Sequence, residues 1–529
     1  MIFFRKKYLF TIFLLSACMK SKFGADTNPI LDTSNVNSTG NSSSGNLISG
    51  STNSTGATSS TEATSSGTVS SSASVVISTP PQTPSQVNSS PSSPPSAPSG
   101  PNYPTTGAST NARGTHASDP KWQVVDQILY EAAVGVAPNG PSSGQLSNYT
   151  FQVYTIAADA SPTLEYTSSY GQVVDATGAT VANAPKAQIA IASATKQITS
   201  LTILHAIHAL DVLNGNQQLL NLSTNAGSMG CKGLSDNANS ITLSQLLHQI
   251  SGLSDTSDSC LTREFDITTA DESTLRTCAC KILRDDVVNS PGAAFVYSPN
   301  NFAVAGAIAE EALKNSALSN NGQAYNYFTW FNQTLADLGI DPNNMSYDLK
   351  GNIHDSNLAG GLVTTALAYA RFLGAIVPGP NQGYTPQGHF ASVGLLEAFA
   401  EPYGDSVVVQ KSPFNTIFNT GPGGAPNEII RYGLGNWIEC SPQAWELSNW
   451  PSNNYSFLNF DYNNCSKKVI QSAGKYGYFP WVSSGAGVES RIAILSTRLG
   501  GGSGNTIAQV STDVHLMLEP VLDAIFKQP

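Results

Sequence analysis

Large apolar side chains are spread unevenly along this 529-residue chain. A short apolar run, Tyr8 to Leu15, follows Arg5, Lys6 and Lys7. From about Gly24 to Thr115 the residues are mostly Ser, Thr, Asn, Gly and Pro, and Glu62 is the only charged residue between Asn35 and Asn111. Such a stretch cannot bury enough surface to offset the entropy of ordering it, so disorder is expected. Beyond Ser118 apolar residues return in periodic blocks. A helical pattern is expected near Trp122–Ala133 and a strand over Tyr149–Ala158. The apolar run Ile189–Ala192 then leads into a long helical pattern from Gln197 to Leu213. Further helical segments fill the middle, and Arg491–Ser496 reads as a late strand. The expected division is a leader over 1–17, a linker over 18–117 and one folded region over 118–529.

Composition narrows the function. The formal charge is −11, the pI about 5.1, and only 12% of residues are charged. No basic patch offers itself to nucleic acid, and that partner class is excluded. The leader has a charged segment, a short apolar segment and small residues at its end, the pattern of a secretory signal. It is too short to span a bilayer as a helix. Leu15-Ser16-Ala17-Cys18 resembles a bacterial lipobox, and the resemblance implies lipidation of Cys18 and a membrane anchor through that lipid. A plain signal peptide with an incidental cysteine is the alternative. Met19 puts no acidic residue after Cys18, which favours the outer membrane or cell surface as the address. A flexible linker of this length has an r.m.s. span of ~50 Å.

Six cysteines follow the linker: Cys231, Cys260, Cys278, Cys280, Cys440 and Cys465. An even number in an exported chain points to disulfides. Cys440 with Cys465 is the favoured pair, and the connectivity of the other four stays open. Zinc binding by Cys278-Ala279-Cys280 is disfavoured, because C-x-C is not the spacing of common structural sites.

Candidate chemistry centres on Ser193-Ala194-Thr195-Lys196. Positions i and i+3 share a helix face, which would set the Lys196 ammonium beside the Ser193 hydroxyl. A serine hydroxyl needs a base to become a nucleophile, and a buried lysine can lower its pKa enough to serve. A helix N-terminus also favours a developing alkoxide. The same S-x-x-K spacing recurs at Ser118–Lys121 and Ser472–Lys475, but only Ser193 stands between an apolar strand-like run and a helix. The bland alternative for Ser193 is a helix N-cap.

Five more segments follow in order. Ile241-Thr242-Leu243-Ser244-Gln245-Leu246-Leu247-His248-Gln249-Ile250-Ser251-Gly252-Leu253 reads as a helix ending in a glycine cap. Next come Pro291-Gly292 through Phe295-Val296-Tyr297-Ser298-Pro299-Asn300-Asn301, then Asn357-Leu358-Ala359-Gly360-Gly361-Leu362, a glycine-rich turn with a packing role. Tyr432-Gly433-Leu434-Gly435-Asn436-Trp437 reads as a strand, and Ser472-Ala473-Gly474-Lys475 opens an aromatic-rich strand. With Ser193 and Lys196, these resemble the motifs of serine β-lactamases, penicillin-binding proteins and family VIII esterases over about Lys121 to Phe526.

The resemblance implies an α/β (α+β) fold: an antiparallel sheet flanked by helices, an all-helical lobe, and a site between them. It implies acyl transfer through Ser193, with Lys196 and Tyr297 handling the proton and no cofactor or metal. It also implies an oxyanion hole from the Ser193 and Lys475 amides, with Gly474 keeping the strand flat against the substrate. Ser472 stands where the family has a cation. Pro299 stands where the family has an asparagine, and Asn300 or Asn301 is the substitute for that substrate contact. His205, His208 and His248 are read as core or structural residues. The implied substrate is a small-molecule or peptidoglycan-like acyl compound, with an esterase or amidase favoured. A D-Ala-D-Ala carboxypeptidase, a β-lactamase and a decayed surface-displayed binding protein are the alternatives.

Overall fold

In the computed structural model, residues 119–526 are described apart from internal segments, the longest being 378–389, 412–431 and 441–466. The leader, Cys18 and the Ser/Thr-rich linker lie outside the described residues, as does Cys465 of the favoured disulfide pair.

The first helix, Pro120–Val134, starts where the sequence allows it. Asp119 accepts the Lys121 amide at 3.1 Å, and Pro120 occupies a first-turn position where no N–H is needed. Then follows the hairpin Tyr149–Ile156 and Pro162–Tyr170. This hairpin completes a six-stranded antiparallel sheet whose other strands come from the end of the chain. The order is Trp437–Cys440, Lys467–Gln471, Tyr478–Gly485, Val488–Ser496, Tyr149–Ile156, Pro162–Tyr170.

Strand alternation sends side chains to two cores. Phe151, Val153, Phe479, Trp481, Ala493 and Leu495 meet Pro120–Val134 and the last helix, Gly504–Ile525, in one apolar cluster. Tyr154, Tyr478, Val482, Ile492 and Ile494 face the other way, into the cluster built on the helical lobe. In the first layer, fully buried Arg491 pairs with Glu519 at 2.7 Å and Asp523 at 2.6 Å. The lobe is formed by helices Thr195–Asn214, Thr274–Asp285, Asn300–Lys314 and Tyr327–Asp337, which pack on one another. The expected mixed α/β fold, an antiparallel sheet flanked by helices with a separate helical lobe, is the fold observed.

Three local readings change. The helix of the second segment is short, Leu243–Leu247, opened by a Thr242/Gln245 capping box. It does not end at Gly252, because Gln249 takes the left-handed position with φ 63°. Tyr432–Trp437 is not a strand but a tight turn closed by a single bridge between its end residues, and the strand begins at Trp437. Ser472–Lys475 is likewise a connection between Lys467–Gln471 and Tyr478–Gly485. The cysteines follow the expectation of disulfides: Cys231 is bonded to Cys280 and Cys278 is also in a disulfide, which fills in connectivity the sequence left open.

Candidate active site

Short strand Ile189–Ala190 pairs with Val363–Thr364 and ends abruptly. Ala192 follows with φ 46°, an unfavourable angle for a residue with a Cβ. It starts the 3₁₀ turn Ala192–Ala194, which runs into helix Thr195–Asn214. The first hydrogen bonds of this turn are Ala194 N–H to Ile191 at 3.1 Å and Thr195 N–H to Ala192. The Ser193 amide therefore precedes the ladder, one of the donors a helix start leaves over.

Lys196 lies one turn on and is 3% exposed. Its Nζ donates to Ser193 Oγ at 3.0 Å and to the Ala359 carbonyl at 2.9 Å. The Tyr297 ring centroid is 4.6 Å away and that of Phe302 is 5.8 Å away. Among the described residues no carboxylate forms an ion pair with it. Burial without a counter-charge disfavours the ammonium, and its pKa is lowered from 10.5 to about 7. The helix geometry thus brings the nucleophile candidate and a half-neutral amine into direct contact.

Tyr297 leaves strand Ala294–Val296 and enters the same space from the opposite wall. Its ring stacks on Trp437 at 5.6 Å and meets Tyr432 edge-on at 6.1 Å. Burial pushes the phenol well above its usual range, while a hydrogen bond with Ser193 pulls the other way. The phenol stays protonated near neutrality, leaving Lys196 as the group able to accept a proton there.

The Ser472–Lys475 segment reaches Ser193 from the end of strand Lys467–Gln471. Ser472 is buried, and its Oγ donates to the Ser193 carbonyl at 3.4 Å. Gly474 is held by a 2.7 Å bond from its N–H to the Tyr478 carbonyl. A Cβ on Gly474 would lie 2.2 Å from the Ile191 carbonyl oxygen. The glycine thus makes room for the backbone leading to Ser193, a different reason from the substrate contact expected of it. Lys475 is exposed in the turn that follows Gly474.

Asn301 is not presented to this space. Its Nδ2 donates to Gln249 at 2.6 Å, its Oδ1 accepts from Ser251 at 2.5 Å, and the residue is 1% exposed. Asn300 is buried too, with its Nδ2 3.3 Å from Asp286. Neither supplies the substrate contact that Pro299 removes. His205 is stacked between Trp330 and Phe390, with its pKa lowered to about 4 by burial. His248 is held by the Ser244 carbonyl at 2.8 Å, and burial lowers its pKa too.

Three contributors escaped the sequence reading. Ala359 acts through its carbonyl, and a backbone group leaves no residue signature. Trp437 reads as one more core aromatic until its ring is found on Tyr297. Gly435, at φ 81°, lets the turn approach Lys196, where a Cβ would meet the Lys196 carbonyl at 2.7 Å and Ser200 Oγ at 2.2 Å. Its two-glycine motif was the available signal.

The arrangement contains a hydroxyl, an amine able to take its proton, a phenol able to return one, and backbone amides nearby. The match to the Beta-lactamase family model runs over residues 165–433, and the chain belongs to that family. No curated protein matches. Among solved structures, one similar chain is a beta-lactamase/D-alanine carboxypeptidase from Yersinia pestis complexed with citrate. It is 14% identical, with 75% of this chain and 98% of that one covered and a TM-score of 0.47. A D-amino acid amidase from Ochrobactrum anthropi is 15% identical over 71% of this chain and 95% of its own, with a TM-score of 0.43. An octameric penicillin-binding protein homologue from Pyrococcus abyssi is 16% identical over 71% and 74%, with a TM-score of 0.42.

Proposed function

We propose that the domain is a serine hydrolase that transfers an acyl group to Ser193 and then to water, with neutral esters or amides as its substrates. The observation that carries this is the 3.0 Å contact between Ser193 Oγ and a buried Lys196 whose pKa is lowered to about 7. In this reading neutral Lys196 takes the Ser193 proton while Oγ attacks the carbonyl carbon of the substrate. The oxyanion is received by the Ser193 and Lys475 amides, a type of contact that contributes about 3–4 kcal/mol to transition states. The bond to the alcohol or amine breaks, and its departing atom takes a proton from Tyr297, which Lys196 replenishes. Water then enters by the same proton exchange in reverse and releases the acid.

The preference for neutral substrates rests on Ser472. A carboxylate beside the scissile bond calls for a cation, and charge-assisted hydrogen bonds are about twice as strong as neutral ones. Ser472 offers only a neutral hydroxyl. One observation favours a second reading, a carboxypeptidase or β-lactamase: Lys475, a cation, is exposed in a turn two residues from Gly477 and three from Ser472.

Purified domain with p-nitrophenyl butyrate, nitrocefin and a fluorophosphonate probe separates these. The expected result is ester turnover, little nitrocefin turnover, and probe mass on the Ser193 peptide that disappears in Ser193→Ala. Nitrocefin turnover that matches the ester and is lost in Lys475→Met would establish the second reading. An unlabelled wild type would leave the decayed binding protein.

A further inference from the structure

The second residue after helix Leu243–Leu247 has an unusual identity for its conformation. His248 caps the helix, and Gln249 follows with φ 63°. The Ile250 amide returns to the Gln245 carbonyl at 2.9 Å, and the Gln249 amide to the Leu246 carbonyl at 3.0 Å. This is the hydrogen-bond pair of a Schellman motif, whose left-handed position belongs by preference to glycine or asparagine. A residue with a Cβ there costs about 1–2 kcal/mol. Gln249 is 1% exposed, so solubility does not explain it.

Its polar atoms do. The Gln249 carbonyl accepts the Val296 amide at 2.9 Å. Its side-chain Oε1 accepts the Ser298 amide at 2.9 Å and Asn301 Nδ2 at 2.6 Å. The amides on both sides of Tyr297 thus end on this one residue. The Asn301 contact adds the first turn of helix Asn300–Lys314 to the same point. Glycine would relieve the backbone but could hold only one of the two amides.

We propose that Gln249 is the positioning residue for Tyr297, setting the phenol against Ser193 and Lys196. The inference rests on the acyl-enzyme reading above. Gln249 touches neither substrate nor the reacting atoms; it acts by clamping the backbone from which Tyr297 projects.

The test is a double-mutant cycle between Gln249→Gly and Tyr297→Phe, read as kcat and KM for p-nitrophenyl butyrate with melting temperatures alongside. Gln249→Gly suits the left-handed angle and is expected to fold. Gln249→Asn also tolerates that angle but falls short of Ser298, and it serves if the glycine variant melts early. Displacing a reacting group by a fraction of an ångström to 1 Å loses about ten- to a hundredfold in rate, so the single variant is expected to lose at least about tenfold in kcat with KM within about twofold. In the Tyr297→Phe background the same change is expected to lose less than about twofold, since groups acting through one another are not additive. Equal losses in both backgrounds would show a merely structural residue, and wild-type kcat in Gln249→Gly would overturn the proposal outright. If the wild type itself neither turns over ester nor labels at Ser193, the acyl-enzyme reading fails, and this inference with it.

Discussion

Lowering the pH through 7 should load a proton onto Lys196, and the structure sets the size of two consequences. The pKa of this amine falls from 10.5 to about 7 because burial strips its water and, among the described residues, no carboxylate pairs with it. At about 1.4 kcal/mol per pH unit, that fall is a penalty of about 5 kcal/mol on the folded ammonium. Above pH 10.5 the amine is neutral in both states and the penalty is absent. Between 10.5 and about 7 the unfolded chain holds the proton and the folded one does not, so folding weakens by about 1.4 kcal/mol for each unit of falling pH. Below about 7 both states hold it and the penalty is complete. Lys196→Met removes the titration. Its stability relative to wild type, from urea melts at pH 6 to 9.5, should be greatest at pH 7 and below and decline at about that slope as pH rises.

The second consequence is kinetic. If neutral Lys196 is the base, the rate of fluorophosphonate acylation should fall about tenfold per pH unit below 7. Lys196→Ala should react slowly and without that inflection. Parallel melting curves for wild type and Lys196→Met across the whole range would refute the buried-amine argument. An acylation rate flat from pH 5 to 8, or the same inflection surviving in Lys196→Ala, would refute the role of base.

Other expectations follow from single contacts. Gly435→Ala would force a left-handed alanine against the Lys196 carbonyl and should cost about 2–4 kcal/mol in a thermal melt while depressing esterase activity; a melting point within a degree of wild type would contradict the close approach. The Cys231–Cys280 bond closes a loop with a sequence separation of 49, worth about 4 kcal/mol of unfolded-state entropy, so the double serine variant should lose stability on that order and respond less to reductant than wild type. We also propose that Cys18 carries a lipid anchor. Cys18→Ser should leave unprocessed precursor or shift the protein to the aqueous phase of a detergent partition, and a mature-size band still in the detergent phase would point to another anchor.

The chain's own pattern determined the parts of this protein that depend on local spacing. Ser193 and Lys196 are three residues apart at a helix start, and helix geometry alone places their side chains together. The apolar patterns over Tyr149–Ala158 and Arg491–Ser496 marked two strands that the sheet contains. Tertiary structure decided what depends on residues far apart in sequence. The low pKa of Lys196 comes from burial, with the rings of Tyr297 and Phe302 among its walls, and neither is revealed by its neighbours in sequence. Gly474 looked like a substrate-facing glycine, yet its missing Cβ accommodates the Ile191 backbone from 283 residues earlier. Asn301 looked like a substrate amide until its partners, Gln249 and Ser251, were seen to satisfy it inside the core. Local rules act over a few residues and are written into the sequence. Desolvation and hydrogen-bond satisfaction are properties of the surroundings, and those exist only once Tyr149–Tyr170 and the strands between Trp437 and Ser496 have met in one sheet.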